Sequence, residues 1–214
     1  MQGPHQSQPV ATYGSSVANA HAAMILIHGR GATAEGMFQL ADVFNQPHFH
    51  YVAPQAKNFR WYPNSFLAPV EKNEPDRSSG LQKISEIFVD LKKSGFSKEQ
   101  IILLGFSQGA CLTLEYATRH PQRYGGVVGL SGGLIGPSVD ASQYEGSLEQ
   151  TPVFLGCSDI DPHIPKERVD ETERIFNKLH AVVTKKFYEN MGHTIIQDEI
   201  IVVQKMMQQV ISKI

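Results

Sequence analysis

The residues that could do chemistry begin with Ser107, in Gly105-Phe106-Ser107-Gln108-Gly109. An apolar run at 101–104 precedes it and a helix-like stretch at 110–117 follows it. Strand, G-x-S-x-G and helix together form the context of a nucleophile held up on a sharp turn. Such a turn forces the serine into a strained backbone conformation. It also brings the positions two before and two after the serine against neighbouring chain, where only glycine fits. The helix that follows points its positive end at developing negative charge. This arrangement suits attack of a hydroxyl on a carbonyl, provided a base and an orienting acid stand nearby.

In sheets that carry this turn the chain order is serine, acid, histidine, so both partners are expected downstream. His120 closes a helix before Pro121 and suits a helix C-terminus. His163 shares a loop with the candidate acids. His193, in Asn190-Met191-Gly192-His193-Thr194, lies between the last predicted strand and the last helix, and Gly192 allows a tight loop. His193 is the expected base. Asp159 and Asp161 compete as the acid within Gly156-Cys157-Ser158-Asp159-Ile160-Asp161-Pro162. Asp161, further into the loop and fixed by Pro162, is better placed to reach an imidazole. Asp159 suits a turn cap made by its own side chain. Backbone N–H groups of Gln108 and Arg30 are the expected oxyanion donors, Arg30 being flanked by Gly29 and Gly31. The aromatic segment with Trp61, Tyr62 and Phe66 is expected to wall a substrate pocket, and equally fits a satellite core under a long loop. The nine histidines are scattered without ligand spacing, so neither a metal nor a cofactor is expected.

The elements that must position these residues alternate regularly. Short apolar runs at 22–27, 49–53, 101–104, 127–130, 153–156 and 182–188 read as strands. Helical spacing marks 35–44, 81–91, 167–180 and the chain from about 195. This alternation predicts a mostly parallel sheet with helices on both faces. His28-Gly29, Ser107, Asp161 and His193 then all fall at the C-terminal ends of strands, where such sheets build sites. Residues 22–214 read as one domain without a large cap. Residues 1–21 read as a loose tail with room for an edge strand. Two long irregular segments, 54–77 and 132–152, are candidates for functional loops.

The chain of 214 residues is 41% hydrophobic and has a net charge of −2, which suits one domain and gives no footprint for nucleic acid. No apolar run is long enough to span a bilayer, so stable membrane insertion is not expected. The N-terminus lacks the charge and apolar core of a signal peptide. Two cysteines do not make a disulfide framework, and a cytoplasmic setting is the expectation. The expected partner is a small-molecule ester; the sequence leaves a homodimer open.

His28-Gly29-Arg30-Gly31-Ala32, Gly105-Phe106-Ser107-Gln108-Gly109-Ala110, Leu130-Ser131-Gly132-Gly133, Asp161-Pro162-His163-Ile164-Pro165 and Gly192-His193 resemble the phospholipase/carboxylesterase family. This is the α/β-hydrolase branch that includes acyl-protein thioesterases and small bacterial carboxylesterases, and the resemblance runs from about residue 22 onward. It implies an α/β-hydrolase fold with Ser107 as nucleophile, Asp161 as acid, His193 as base, and Arg30 and Gln108 at the oxyanion positions. Acyl-protein thioesterases of the family usually carry an apolar residue after His-Gly. Arg30 looks more like the bacterial carboxylesterases, which implies esters of small to medium acyl chains. A thioesterase or lysophospholipase acting on long chains is the alternative.

Overall fold

A computed structural model describes residues 3–212. Seven strands form one sheet: β1 (Val10–Gly14), β2 (Ala22–Ile27), β3 (Phe49–Pro54), β4 (Ile101–Phe106), β5 (Gly126–Leu130), β6 (Pro152–Ser158) and β7 (Val182–Tyr188). Their spatial order is β1-β3-β2-β4-β5-β6-β7, with β1 antiparallel to β3 and every other pair parallel. The α-helices among the described residues are α1 (Phe38–Phe44), α2 (Asp76–Lys93), α3 (Gln108–Arg119), α4 (Lys166–Lys178) and α5 (Gln197–Ile211). This is the expected α/β-hydrolase architecture. None of these helices is long and apolar enough to cross a membrane.

The period of two along a strand explains why central strands are apolar throughout. In β2, Ala23, Ile25 and Ile27 face one core with Leu81, Ile84, Leu112 and Phe176 of α2, α3 and α4. Ala22, Met24 and Leu26 face the other core, with Phe44 of α1 and Val203 and Met207 of α5. Every residue of β2 is buried, so both faces fix its register. The buried Glu115 on α3 adds a polar clamp. Its carboxylate accepts from Arg77 at 2.7 Å, from Arg119 at 2.5 Å and from the Ile135 N–H at 3.2 Å. It thereby ties α2 and α3 to the loop after β5.

The N-terminal segment is not a loose tail. His5 is fully buried, its N–H donates to Ser79 Oγ at 2.9 Å, and Lys83 Nζ reaches the carbonyls of Gln6 and Gln8. The composition of residues 1–8 conceals this because the contacts are to residues more than 70 positions away.

Candidate active site

Ser107 stands between β4 and α3 with φ 55° and ψ −120°, a conformation that costs a non-glycine residue about 1–3 kcal/mol. The surroundings enforce it. A Cβ on Gly105 would lie 2.2 Å from the Gly109 carbonyl oxygen, and one on Gly109 would lie 2.1 Å from the Ile27 carbonyl oxygen. The Ser107 N–H is anchored to the Leu130 carbonyl at 2.9 Å. Gln108 opens α3, and the first turn of a helix leaves its N–H groups without intrahelical acceptors.

The loops after β6 and β7 bring the other two groups to this hydroxyl. His193 Nε2 lies 2.8 Å from Ser107 Oγ, and His193 Nδ1 lies 2.8 Å from Asp161 Oδ2. The Asp161 side chain is fully covered, and burial opposes its ionisation. The hydrogen bonds from His193 and from the N–H groups of His163 and Ile164 outweigh that and hold its carboxyl below the ordinary range. Asp159 is used differently. Its Oδ1 accepts the Asn190 N–H at 3.0 Å, so it joins the two loops rather than capping its own turn. His120 packs at a tilt against Tyr116 at the end of α3, ring centroids 4.6 Å apart. His163 sits edge-on to His193, with ring centroids 4.9 Å apart. Gly192 is not needed for the loop: its φ is ordinary and no atom lies within 4 Å of where a Cβ would sit. The left-handed residue there is Asn190, φ 54°.

The loop after β2 is held by a buried histidine. The Ala56 N–H donates to His28 Nε2 at 3.1 Å, so the proton resides on Nδ1, which donates to the Gly29 carbonyl at 2.7 Å. Burial keeps this imidazole neutral by lowering its pKa. The Gly29 carbonyl and the Arg30 N–H belong to one trans peptide, so fixing the first aims the second the opposite way. The Arg30 N–H makes no hydrogen bond among the described residues. Gly31, at φ 80°, donates to the Phe59 carbonyl at 2.7 Å.

Side chains that sequence reasoning read only as backbone donors turn out to build the adjoining wall. The Gln108 amide accepts the Trp61 N–H at 2.8 Å and donates to the Tyr62 carbonyl at 2.9 Å. The Arg30 guanidinium donates to the carbonyls of Tyr62, Pro63 and Asn64. His5 accepts the Lys57 N–H and donates to the Trp61 carbonyl at 3.0 Å. Trp61 itself is a correction to the expected pocket wall. It is fully buried, its indole N–H donates to the His28 carbonyl at 2.9 Å, and its ring packs between the imidazoles of His5 and His28. Tyr62 and Phe66 do line the cavity of about 600 Å³ that contains Ser107 and His193.

The description Phospholipase/Carboxylesterase matches residues 11–211, nearly the whole chain. The chain belongs to this family. Its membership makes the chain a hydrolase of the esterase and thioesterase group. The crystal structure of a phospholipase/carboxylesterase from Dyadobacter fermentans is 41% identical, with a TM-score of 0.91 over 94% of this chain and 97% of that one. Acyl-protein thioesterase 1 of Kluyveromyces lactis is 31% identical, covering 80% of this chain and 84% of its own length. The Saccharomyces cerevisiae protein of the same name is 28% identical, covering 83% and 87%. The family therefore joins carboxylesterase and thioesterase relatives around this chain.

Proposed function

We propose that this chain is a serine esterase that cleaves carboxylic esters of small to medium acyl chains through an acyl-enzyme. The reading rests on the unbroken line Ser107 Oγ, His193 Nε2, His193 Nδ1, Asp161 Oδ2, with both steps at 2.8 Å. Ser107 Oγ attacks the ester carbonyl carbon as its proton passes to His193 Nε2. Asp161 keeps the ring oriented and stabilises the imidazolium. The N–H groups of Arg30 and Gln108 hold the oxyanion. The bond to the leaving alkoxide breaks as His193 returns its proton to that oxygen. Water, deprotonated by His193, then attacks the acyl-enzyme, and the carboxylic acid leaves as Ser107 regains its proton.

The thioesterase names of the yeast relatives favour a second reading, in which the same steps release a thiol from a longer acyl chain. Turnover of 4-nitrophenyl esters from acetyl to palmitoyl, beside a palmitoyl thioester, separates the two. Short esters are expected to be turned over best, and a preference for the thioester would reverse the order. Ser107→Ala should lower kcat by about 10⁴-fold or more with the fold intact. Near-full activity in that variant would remove Ser107 from the role.

A further inference from the structure

Two fully buried imidazoles accept consecutive backbone N–H groups beside the site. His28 Nε2 takes the Ala56 N–H and His5 Nδ1 takes the Lys57 N–H, each at 3.1 Å. Together they hold the amides that open the turn at Lys57–Phe59. That turn is strained, since Asn58 and Phe59 both keep left-handed backbone, at φ 54° and φ 57°. Such a pair of non-glycine residues persists only where its surroundings enforce it. The turn leads straight into the wall of the site. Its Phe59 carbonyl accepts the Gly31 N–H at 2.7 Å. Just beyond, the Trp61 N–H and indole N–H donate to Gln108 Oε1 at 2.8 Å and to the His28 carbonyl at 2.9 Å.

His5 grips this stretch with both ring nitrogens: Nδ1 accepts from Lys57, and Nε2 donates to the Trp61 carbonyl at 3.0 Å. Only the neutral ring can do both. A proton on Nδ1 would set a donor against the Lys57 N–H inside the protein, where an unmet donor is costly. The N-terminal segment itself does not depend on the ring. The His5 backbone N–H donates to Ser79 Oγ, the Gln6 amide donates to the Ser79 carbonyl at 3.0 Å, and Lys83 holds the carbonyls of Gln6 and Gln8. Protonation therefore acts on the turn and leaves the segment on α2. Charged groups around the two rings pull both ways. Asp76, at the start of α2, favours a cation on His5 and Lys57 opposes it; Glu35 favours one on His28 and His5 opposes it. Burial outweighs these and favours both neutral rings.

We propose that His5 is a proton-sensitive latch on the site. Neutral, it clamps residues 57–61 against Gln108 and the loop at 28–31. Protonated, it releases them while the sheet and the N-terminal segment stay in place. The latch stands apart from the esterase reading, and only its effect on turnover rests on that reading.

Trp61 is the only tryptophan of the chain, so its fluorescence reports the clamped stretch directly. As pH falls from about 8 to about 4.5, acrylamide should quench it about threefold more readily, reversibly and with unchanged far-UV circular dichroism. A charged imidazole touching the indole dims it without exposing it, so dimming with no gain in acrylamide access would overturn the proposal. His5→Asn supplies an amide oxygen that can accept the Lys57 N–H and takes up no proton. Its transition should lie about half a pH unit lower or vanish, and a transition at the wild-type pH would overturn the proposal. His5→Ala loses both bonds and should show the raised access already at about pH 8; native access there would also overturn it. With 4-nitrophenyl acetate, the acid limb of kcat/KM should lose about one proton of steepness in His5→Asn. Unaltered steepness would overturn the control of turnover by the latch. Should no ester be turned over, the esterase reading falls, and the quenching alone decides the latch.

Discussion

The two walls of the site are built in opposite ways. The wall beside the proposed oxyanion donors is an interlocked interior: His5, His28 and Trp61 have no exposed surface and are joined by hydrogen bonds to the Gln108 amide and to residues 56–62. The opposite wall consists of two surface loops. Ile160 is 63% exposed, His163 and Asn190 face solvent, and the loops are joined chiefly by Asp159 to Asn190 and Asp161 to His193. The difference fits the proposed chemistry. Donors that stabilise a developing oxyanion must be in place before charge appears, so a rigid interior serves them. A base that takes a proton from one group and returns it to another needs only a held ring, and a loop suffices.

The contrast predicts that substitutions on the loop wall act on rate and those in the interior wall act on stability. The largest effect is expected from Asp161→Asn, a fall in kcat of about 10⁴-fold with little change in melting temperature. Asp159→Asn should lose less than about tenfold; a greater loss there would exchange the roles of the two acids. Trp61→Ala should behave the other way round and lower unfolding free energy by about 3–5 kcal/mol, read from urea denaturation. An unchanged urea midpoint would mean that the interior wall does not depend on this ring.

Glu199 sharpens the comparison because it is the buried anchor of the loop wall. Its Oε2 accepts the Ile196 N–H at 3.1 Å, its Oε1 is buried without a partner, and burial pushes its pKa up to about 7. The unfolded chain ionises this group near 4.5, so stability falls as pH rises from there through about 7. Glu199→Gln should remove that decline and raise stability at alkaline pH by about 3 kcal/mol. A variant that parallels the wild type across this range would show that the carboxyl is solvated.

The smallest effect has the opposite sign. Burial lowers the pKa of both His5 and His28. The unfolded chain binds protons at these sites more readily than the folded one, so stability falls as pH drops below about 6.5. Each contributes at most about 1.4 kcal/mol per pH unit. His5→Gln should reduce proton uptake on unfolding near pH 6, and an unaltered uptake would place His5 in solvent. Glu199 and the two histidines act in opposite directions on the pH dependence of stability, so replacing either kind should tilt it in opposite senses.

The fold and the chemical line were legible because both are written in local signals. The strand-turn-helix around Ser107 needs glycine at 105 and 109, and the order of Asp161 and His193 follows from the parallel sheet. The wall at 57–67 was not legible. Apolarity in Trp61, Tyr62 and Phe66 says that they will be covered, not by what. The contacts that settle it, His5 to Trp61 and Gln108 to Trp61, span 56 and 47 residues and pair side chains with backbone groups, which no periodicity reports. Gln108 offered a weak signal, since a long amide inside a tight turn must find partners. Gly192 invited the reverse error, because glycine before a histidine suggests a steric need that the open space there does not impose.

The close approach of Gly109 to the end of β2 has an evolutionary corollary. A Cβ at that position would lie about 2 Å from the Ile27 carbonyl oxygen, so Ser107 cannot be displaced without dragging along the strand that leads into the loop at residues 28–31. The reacting groups therefore drift together or not at all. Divergence is then left to the irregular stretches beyond the strand ends, where a substitution leaves the turn around Ser107 untouched.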